Sequence, residues 1–392
     1  MLVWITFTHL PTVCSAYLNQ PFGFVSAAEG FIFLSALFIG RIGFRLAERS
    51  GYSAMRQNLQ TRTLRLYLYH LLLLSFAFLV AVPIAAGGTR PGLHNLMNFY
   101  FMAGPRRAVL DSLLLLYRPP LLDILPMYVN FLALTPVALI ISRKLGWKFT
   151  LGGGFTLWLL AQFGLRQTVW QLLNHYLGLQ VPLNEMGSFD LWAWQLLWLV
   201  GIWMGVHWAK GQLPVVDFAK KLTTPALIIV PTLLIMRYAV GNGFELGGYE
   251  QFFDKWHLGL VRLIDFGALG IVLIRARQYL RPLSIRPLVL LGQSSLQVFC
   301  THIFFCFAGL TLLGNASMLN GWKQLGLLSA TLLAMLLTAK LFSKREQIAD
   351  TTHSTAMHTV IRSVPEPEYF LAVPTLAKKA QPRVGRELVQ SH

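Results

Sequence analysis

Apolar runs recur along this chain at lengths that decide its solvent. The hydrocarbon core of a bilayer is about 30 Å thick and takes roughly 20 apolar residues per helix. Ten runs approach that length: residues 1–17, 24–44, 63–85, 120–142, 149–165, 189–209, 223–241, 257–276, 287–308 and 324–342. The first is too short to span comfortably. Only 12% of the residues are charged and 55% are hydrophobic, whereas a soluble domain carries about 25% charged residues. The sequence therefore predicts an all-α polytopic membrane protein with about ten transmembrane helices, its main partner being the lipid bilayer.

Charge sets the expected orientation. Arg41, Arg45, Arg49, Arg56, Arg62 and Arg65 follow the second run against the single acid Glu48. Later basic connections hold Arg143, Lys144 and Lys148, then Lys210, Lys220 and Lys221, then Arg275, Arg277, Arg281 and Arg286. These are every second connection, and the positive-inside rule then puts both termini in the cytoplasm. The net charge of +17 is thus an anchoring pattern; no basic run interleaved with aromatics forms a nucleic-acid stripe. The N-terminus has neither a charged region nor a small-residue cleavage site, so it reads as a span and not as a signal peptide.

One outer connection breaks the rule. Residues 87–119 carry Arg90, Arg106, Arg107 and Arg118 around an apolar piece at 109–117. They are either a lipid-headgroup anchor or a basic collar for an anionic substrate. Cys14, Cys300 and Cys306 have no zinc or redox spacing, so neither a metal nor a disulfide is expected. Residues 344–392 lose the apolar pattern and read as a largely disordered cytoplasmic tail, leaving 1–343 as the membrane domain.

An ionisable group at mid-bilayer costs about 2.5 to 3.5 kcal/mol, so each one inside a span is a candidate site. At 1.5 Å per residue, His9, Glu29, Asp123, Gln195, Arg262, Asp265 and His302 all fall in the outer half, and one hydrated cavity would explain the shared level. His9 can exchange a proton near neutral pH, and Glu29 across a short hairpin would fix its tautomer as a general base requires. The plainer readings are a histidine bonded to a neighbouring helix and a carboxylate held by Ser26 and the next helix. Arg262 and Asp265 at i, i+3 either neutralise each other or leave Arg262 to receive a substrate carboxylate. Asp123 is a helix cap or an acceptor for a sugar hydroxyl. Trp194 and Gln195 offer a plate and a hydrogen-bonding edge for a carbohydrate ring, or an interfacial anchor. Ser295, with Ser294 and Gln297, bridges helices or joins Gln195 as an oxyanion donor. His302 would support His9. His70, on the cytoplasmic half, packs or meets an acyl donor.

Four blocks carry a resemblance. They are His9-Leu10-Pro11 followed by Ser26-Ala27-Ala28-Glu29-Gly30-Phe31; Leu122-Asp123-Ile124-Leu125-Pro126-Met127-Tyr128; Trp194-Gln195-Leu196-Leu197 with Gly201 and Gly205; and Leu291-Gly292-Gln293-Ser294-Ser295-Leu296-Gln297. In this order, from His9 to about Leu341, they resemble the OpgC family of membrane succinyltransferases that decorate osmoregulated periplasmic glucans, within the superfamily of integral-membrane O-acyltransferases. The resemblance implies an enzyme of the bacterial inner membrane with no bound cofactor. It would move a succinyl group from acyl-CoA, as succinyl-CoA, to hydroxyls of a periplasmic glucan, with His9 as base. The family typically has an acidic and an arginine residue ahead of that histidine; Leu2 to Thr8 contain neither. That departure keeps open a start further upstream, a catalytically impaired relative, or a membrane transporter.

Overall fold

The computed structural model describes residues 1–88, 91–212, 219–280, 282, 285–314 and 320–363. Among them the chain is helical, with one isolated β-bridge between Phe22 and Val25 and no strand. The helices that frame the argument are α1 (Leu2–His9), α2 (Ala27–Phe76), α3 (Ile124–Leu145), α4 (Trp147–Gln162), α5 (Leu191–Ala209), α6 (Thr223–Gly241), α7 (Leu260–Arg275), α8 (Ser295–Leu312) and α9 (Gly321–Ser363).

Two sequence expectations change here. The run 1–17 is not one helix, because Leu10 precedes Pro11 and takes an extended conformation (φ −65°, ψ 140°), as the proline ring demands of its predecessor. His9 thereby becomes the last residue of α1. Conversely, the basic connection between the second and third runs is helical on both sides of Gly51, whose non-helical angles (φ 84°, ψ 168°) kink the chain and separate two helices. Leucine, alanine, arginine and glutamine fill that connection and favour the helix. The course then passes through a π-turn at Ala77–Ala81 into Val82–Ala86.

Ten crossings were expected. Five helices among the described residues are long and apolar enough to cross a bilayer: Ala27–Ala86, Ile124–Leu145, Thr223–Gly241, Ser295–Leu312 and Gly321–Ser343. Of the other runs, α4 and α7 have 16 residues each. In α5 the polar edges of Trp192, Trp194, Trp198, Trp203 and Trp208, with Gln195 and His207, lower the mean hydropathy. Leu64, Leu68 and Leu72 recur at i, i+4 on α2 and are 58%, 56% and 65% exposed; such an apolar stripe suits lipid.

The densest crossing joins α2 to α5. A Cβ on Gly205 would collide with the carbonyl of Leu37, one on Gly201 with Ala36, and one on Gly40 with the backbone of Ile202. This is small-residue packing at four-residue spacing, which lets two membrane helices touch backbone to backbone.

By internal contacts the chain divides into Met1–Ser343 and Lys344–His392. In the second unit residues 344–363 are helical; 364–392, the rest of the expected tail, lie outside the described residues, as do Arg90 and Arg281.

Candidate active site

The end of α1 is fixed from several directions. Trp4 Nε1 donates to the Leu18 carbonyl at 2.7 Å, Thr6 Oγ1 to Met335 Sδ at 3.2 Å, and the Val13 amide to Gln324 Oε1 at 2.8 Å. The Nδ1 of His9 lies 2.9 Å from the Ile5 carbonyl. A carbonyl can only accept, so the proton sits on Nδ1 and Nε2 keeps its lone pair. The ring is exposed to a cavity of about 190 Å³. That is an order of magnitude above the ~10–15 Å³ that holds one water, enough for a small organic group.

His9, Asp123 and His302, all expected at the site, line this cavity. The rings of His302 and His9 meet edge to face with centroids 5.7 Å apart. His302 Nδ1 donates to the Phe299 carbonyl at 3.1 Å, and its buried Nε2 has no hydrogen-bond partner among the described residues. Asp123 stands at the N-cap position of α3, but its side chain makes no capping hydrogen bond; its Oδ2 accepts from the Ser188 amide at 3.1 Å instead. Phe189, Trp256 and Phe299 supply aromatic walls.

Other expected residues lie elsewhere. Glu29 does not steady His9. Its Oε2 closes a capping box at the start of α2, accepting from the Ser26 amide at 3.0 Å and the Ser26 hydroxyl at 2.5 Å. Its Oε1 accepts from Arg262, from Nε at 2.9 Å and also from Nη2. Arg262 therefore does not pair with Asp265, whose Oδ2 takes the Phe24 amide at 2.7 Å instead. Together the two residues of α7 clamp the turn that opens α2. Gly23, at φ 92°, allows that turn to pass close to Asp265.

Trp194 is fully buried and donates through Nε1 to the Trp256 carbonyl at 3.1 Å, so no sugar ring can stack on it. Gln195 Nε2 donates to the Gly154 carbonyl at 2.6 Å, tying α5 to α4. Ser295 opens α8, exposed and away from the cavity lining. The single wet pocket inferred from depth thus holds three of the seven polar groups. His70 is buried outside the cavity, and neither ring nitrogen has a hydrogen-bond partner among the described residues.

Sequence reasoning missed Lys255 and Trp256, which border the cavity from the connection between Glu250–Phe253 and α7. Three successive carbonyls hold that connection. The Trp256 carbonyl accepts from Trp194 Nε1 and the Asp190 amide, that of His257 from Gln162 Nε2 at 2.8 Å, and that of Leu258 from Trp158 Nε1 at 3.0 Å. Leu258 is held at φ 49°, a strained value for leucine. In the sequence Glu245, Glu250 and Asp254 outnumber Lys255 here and make the connection net acidic, yet Asp254 is taken up by His257, which leaves Lys255 as the cation. Burial lowers the pKa of Lys255 from its ordinary value, an effect that Glu29 opposes.

Arg118 of the proposed basic collar, together with Arg166, which lies outside that collar, supports the roof. Arg166 donates to the carbonyls of Leu183, Gly187 and Ser188. Arg118 packs against Gly187 and donates to the Leu115 carbonyl; burial, then the nearby Arg166, push its pKa down to about 10. Arg107 is spent on Asp111 and Gln180. A second, more open cavity of about 550 Å³ lies beside the first and shares Lys255 and Trp256 with it; Arg237, Glu250 and Arg262 are among its walls.

A family model described as OpgC protein matches residues 1–347. The chain belongs to the OpgC family. Membership in the OpgC family implies acyltransferase activity directed at glucans, in a protein whose apolar helices suit a membrane. No characterised protein and no solved structure gives a match.

Proposed function

We propose that this chain transfers a succinyl group from succinyl-CoA to hydroxyls of a periplasmic glucan, with His9 as general base. The observation that carries the reading is the geometry of His9 in a family of glucan acyltransferases: Nδ1 tied to the Ile5 carbonyl and the ring open to a cavity. Nε2 takes the proton of the attacking hydroxyl while its oxygen bonds to the thioester carbonyl carbon. The C–S bond then breaks, and the imidazolium returns the proton to the departing thiolate. The carbonyl of Ile5 supports the developing imidazolium, the part first given to Glu29.

In this reading the chain lies in the bacterial inner membrane with both termini cytoplasmic. The shorter helices α4, α5 and α7, with α1 and its continuation, complete about ten crossings. Mass spectrometry of glucans from a strain that makes them unsubstituted, with and without this protein in its membrane, is the test. Succinyl-sized additions that appear only with the protein support the reading. Unsubstituted glucans from membranes containing the folded protein overturn it, as do additions of a different mass.

A further inference from the structure

We propose that Lys255 is the receptor for a carboxylate at the far end of the acyl chain, a role that gives the site its preference for a dicarboxylic over a simple acyl group. This rests on the acyltransferase reading for its substrate. It departs from the expectation that Arg262 would bind the carboxylate, because Arg262 is 1% exposed and already paired with Glu29.

The placement of Lys255 carries the argument. It borders the cavity that His9 faces and the adjoining open cavity, so it stands at their junction. Its backbone neighbours are fixed through the carbonyls of Trp256, His257 and Leu258, which makes the position of the side chain a property of the fold. Among the described residues its ammonium makes no ion pair; it lies 4.7 Å above the Trp256 ring. The acids around it are engaged: Asp254 with His257, Glu29 with Ser26 and Arg262, and Asp123 with the Ser188 amide.

A half-buried ammonium without a matched counter-ion is poorly solvated. A carboxylate arriving there would gain a charge-assisted contact that a neutral chain cannot make. The source of the carboxylate follows from size. The thioester carbonyl must lie in the same cavity as His9, and about 190 Å³ admits a short acyl chain and not a nucleotide diphosphate. The Trp256 ring offers the chain an apolar wall, and its π-face keeps the ammonium near by.

The test has a binding arm and a turnover arm, both on the full chain in lipid nanodiscs. Binding of isotope-labelled succinate and of butyrate is measured by saturation-transfer NMR for wild type, Lys255→Gln and Lys255→Arg. Succinate should bind more tightly than butyrate to wild type; Lys255→Gln should abolish that difference with at least a tenfold loss for succinate, and Lys255→Arg should retain most of it. Equal succinate binding by wild type and Lys255→Gln overturns the inference. In the turnover arm, Lys255→Gln should lower the succinyl-to-acetyl ratio of kcat/KM at least tenfold; an unchanged ratio overturns it as well. Wild type that binds succinate through Lys255 yet transfers no acyl group would sink the acyltransferase reading and leave the carboxylate site standing.

Discussion

Replacing Glu29 with Gln separates a structural carboxylate from a catalytic one. Both Glu29 and Arg262 are 1% exposed, so solvent screening discounts little of their interaction. Removing one partner of a buried pair strands the other charge and costs about 3 to 5 kcal/mol. The amide also disturbs the Ser26 capping box, where losing a cap costs about 1 kcal/mol. Unfolding of wild type, Glu29→Gln, Arg262→Met and the double variant would be followed in mixed micelles by denaturant titration. The expected result is a loss of about 3 to 5 kcal/mol in each single variant, with the double variant losing less than the sum by about 0.5 to 3 kcal/mol. The fraction that remains folded should acylate with the pH profile of wild type, because Ile5 and not Glu29 holds His9. Wild-type stability in Glu29→Gln together with a displaced pH profile would refute this and restore Glu29 as the partner of the base.

Gly205→Ala should destabilise the α2–α5 crossing by at least the 1 to 3 kcal/mol typical of overpacking, since the added carbon meets backbone; size-exclusion chromatography in detergent would show less monodisperse protein, and an unaltered profile contradicts the close approach. The 254–259 connection should loosen at high pH. The hydrogen bond to Asp254 raises the pKa of His257 above 6.5, so its stabilisation is full below 6.5 and lost as pH rises through the higher folded value. Burial pushes Asp254 upward, but the bond from His257 leaves its pKa below 3.8; that contribution is full above 3.8 and lost as pH falls through the lower folded value. Hydrogen exchange of amides 255–259, corrected for intrinsic rates, should show protection declining on the alkaline side in wild type and no such decline in His257→Gln. A flat wild-type profile would remove the ion pair from the account.

Depth was legible in the sequence and azimuth was not. Counting residues along a helix put His9, Asp123 and His302 at one level, and they share a cavity. The same count admitted Gln195, Glu29 and Asp265, which point to Gly154, Arg262 and the Phe24 amide. Those choices depend on the rotation of each helix and on partners far away in the chain, which no local pattern records. The plainer reading of Glu29, a carboxylate held by Ser26 and another helix, was visible because Ser26 and Glu29 have capping-box spacing. Lys255 was hidden by arithmetic: summing a loop's charge cancels a lysine against an acid that the fold assigns to another residue. The helical content and the small residues Gly201 and Gly205 could be read directly, whereas the helical form of the basic connection on either side of Gly51 could not, since a positive connection is equally compatible with loop or helix.

The central claim is that the Nε2 of His9 takes the proton from a glucan hydroxyl. The most direct measurement is mass spectrometry of glucans from cells expressing His9→Ala, with membrane insertion checked against wild type. The account predicts unsubstituted glucans from a normally inserted protein; succinylation persisting at the wild-type level in that variant would contradict it.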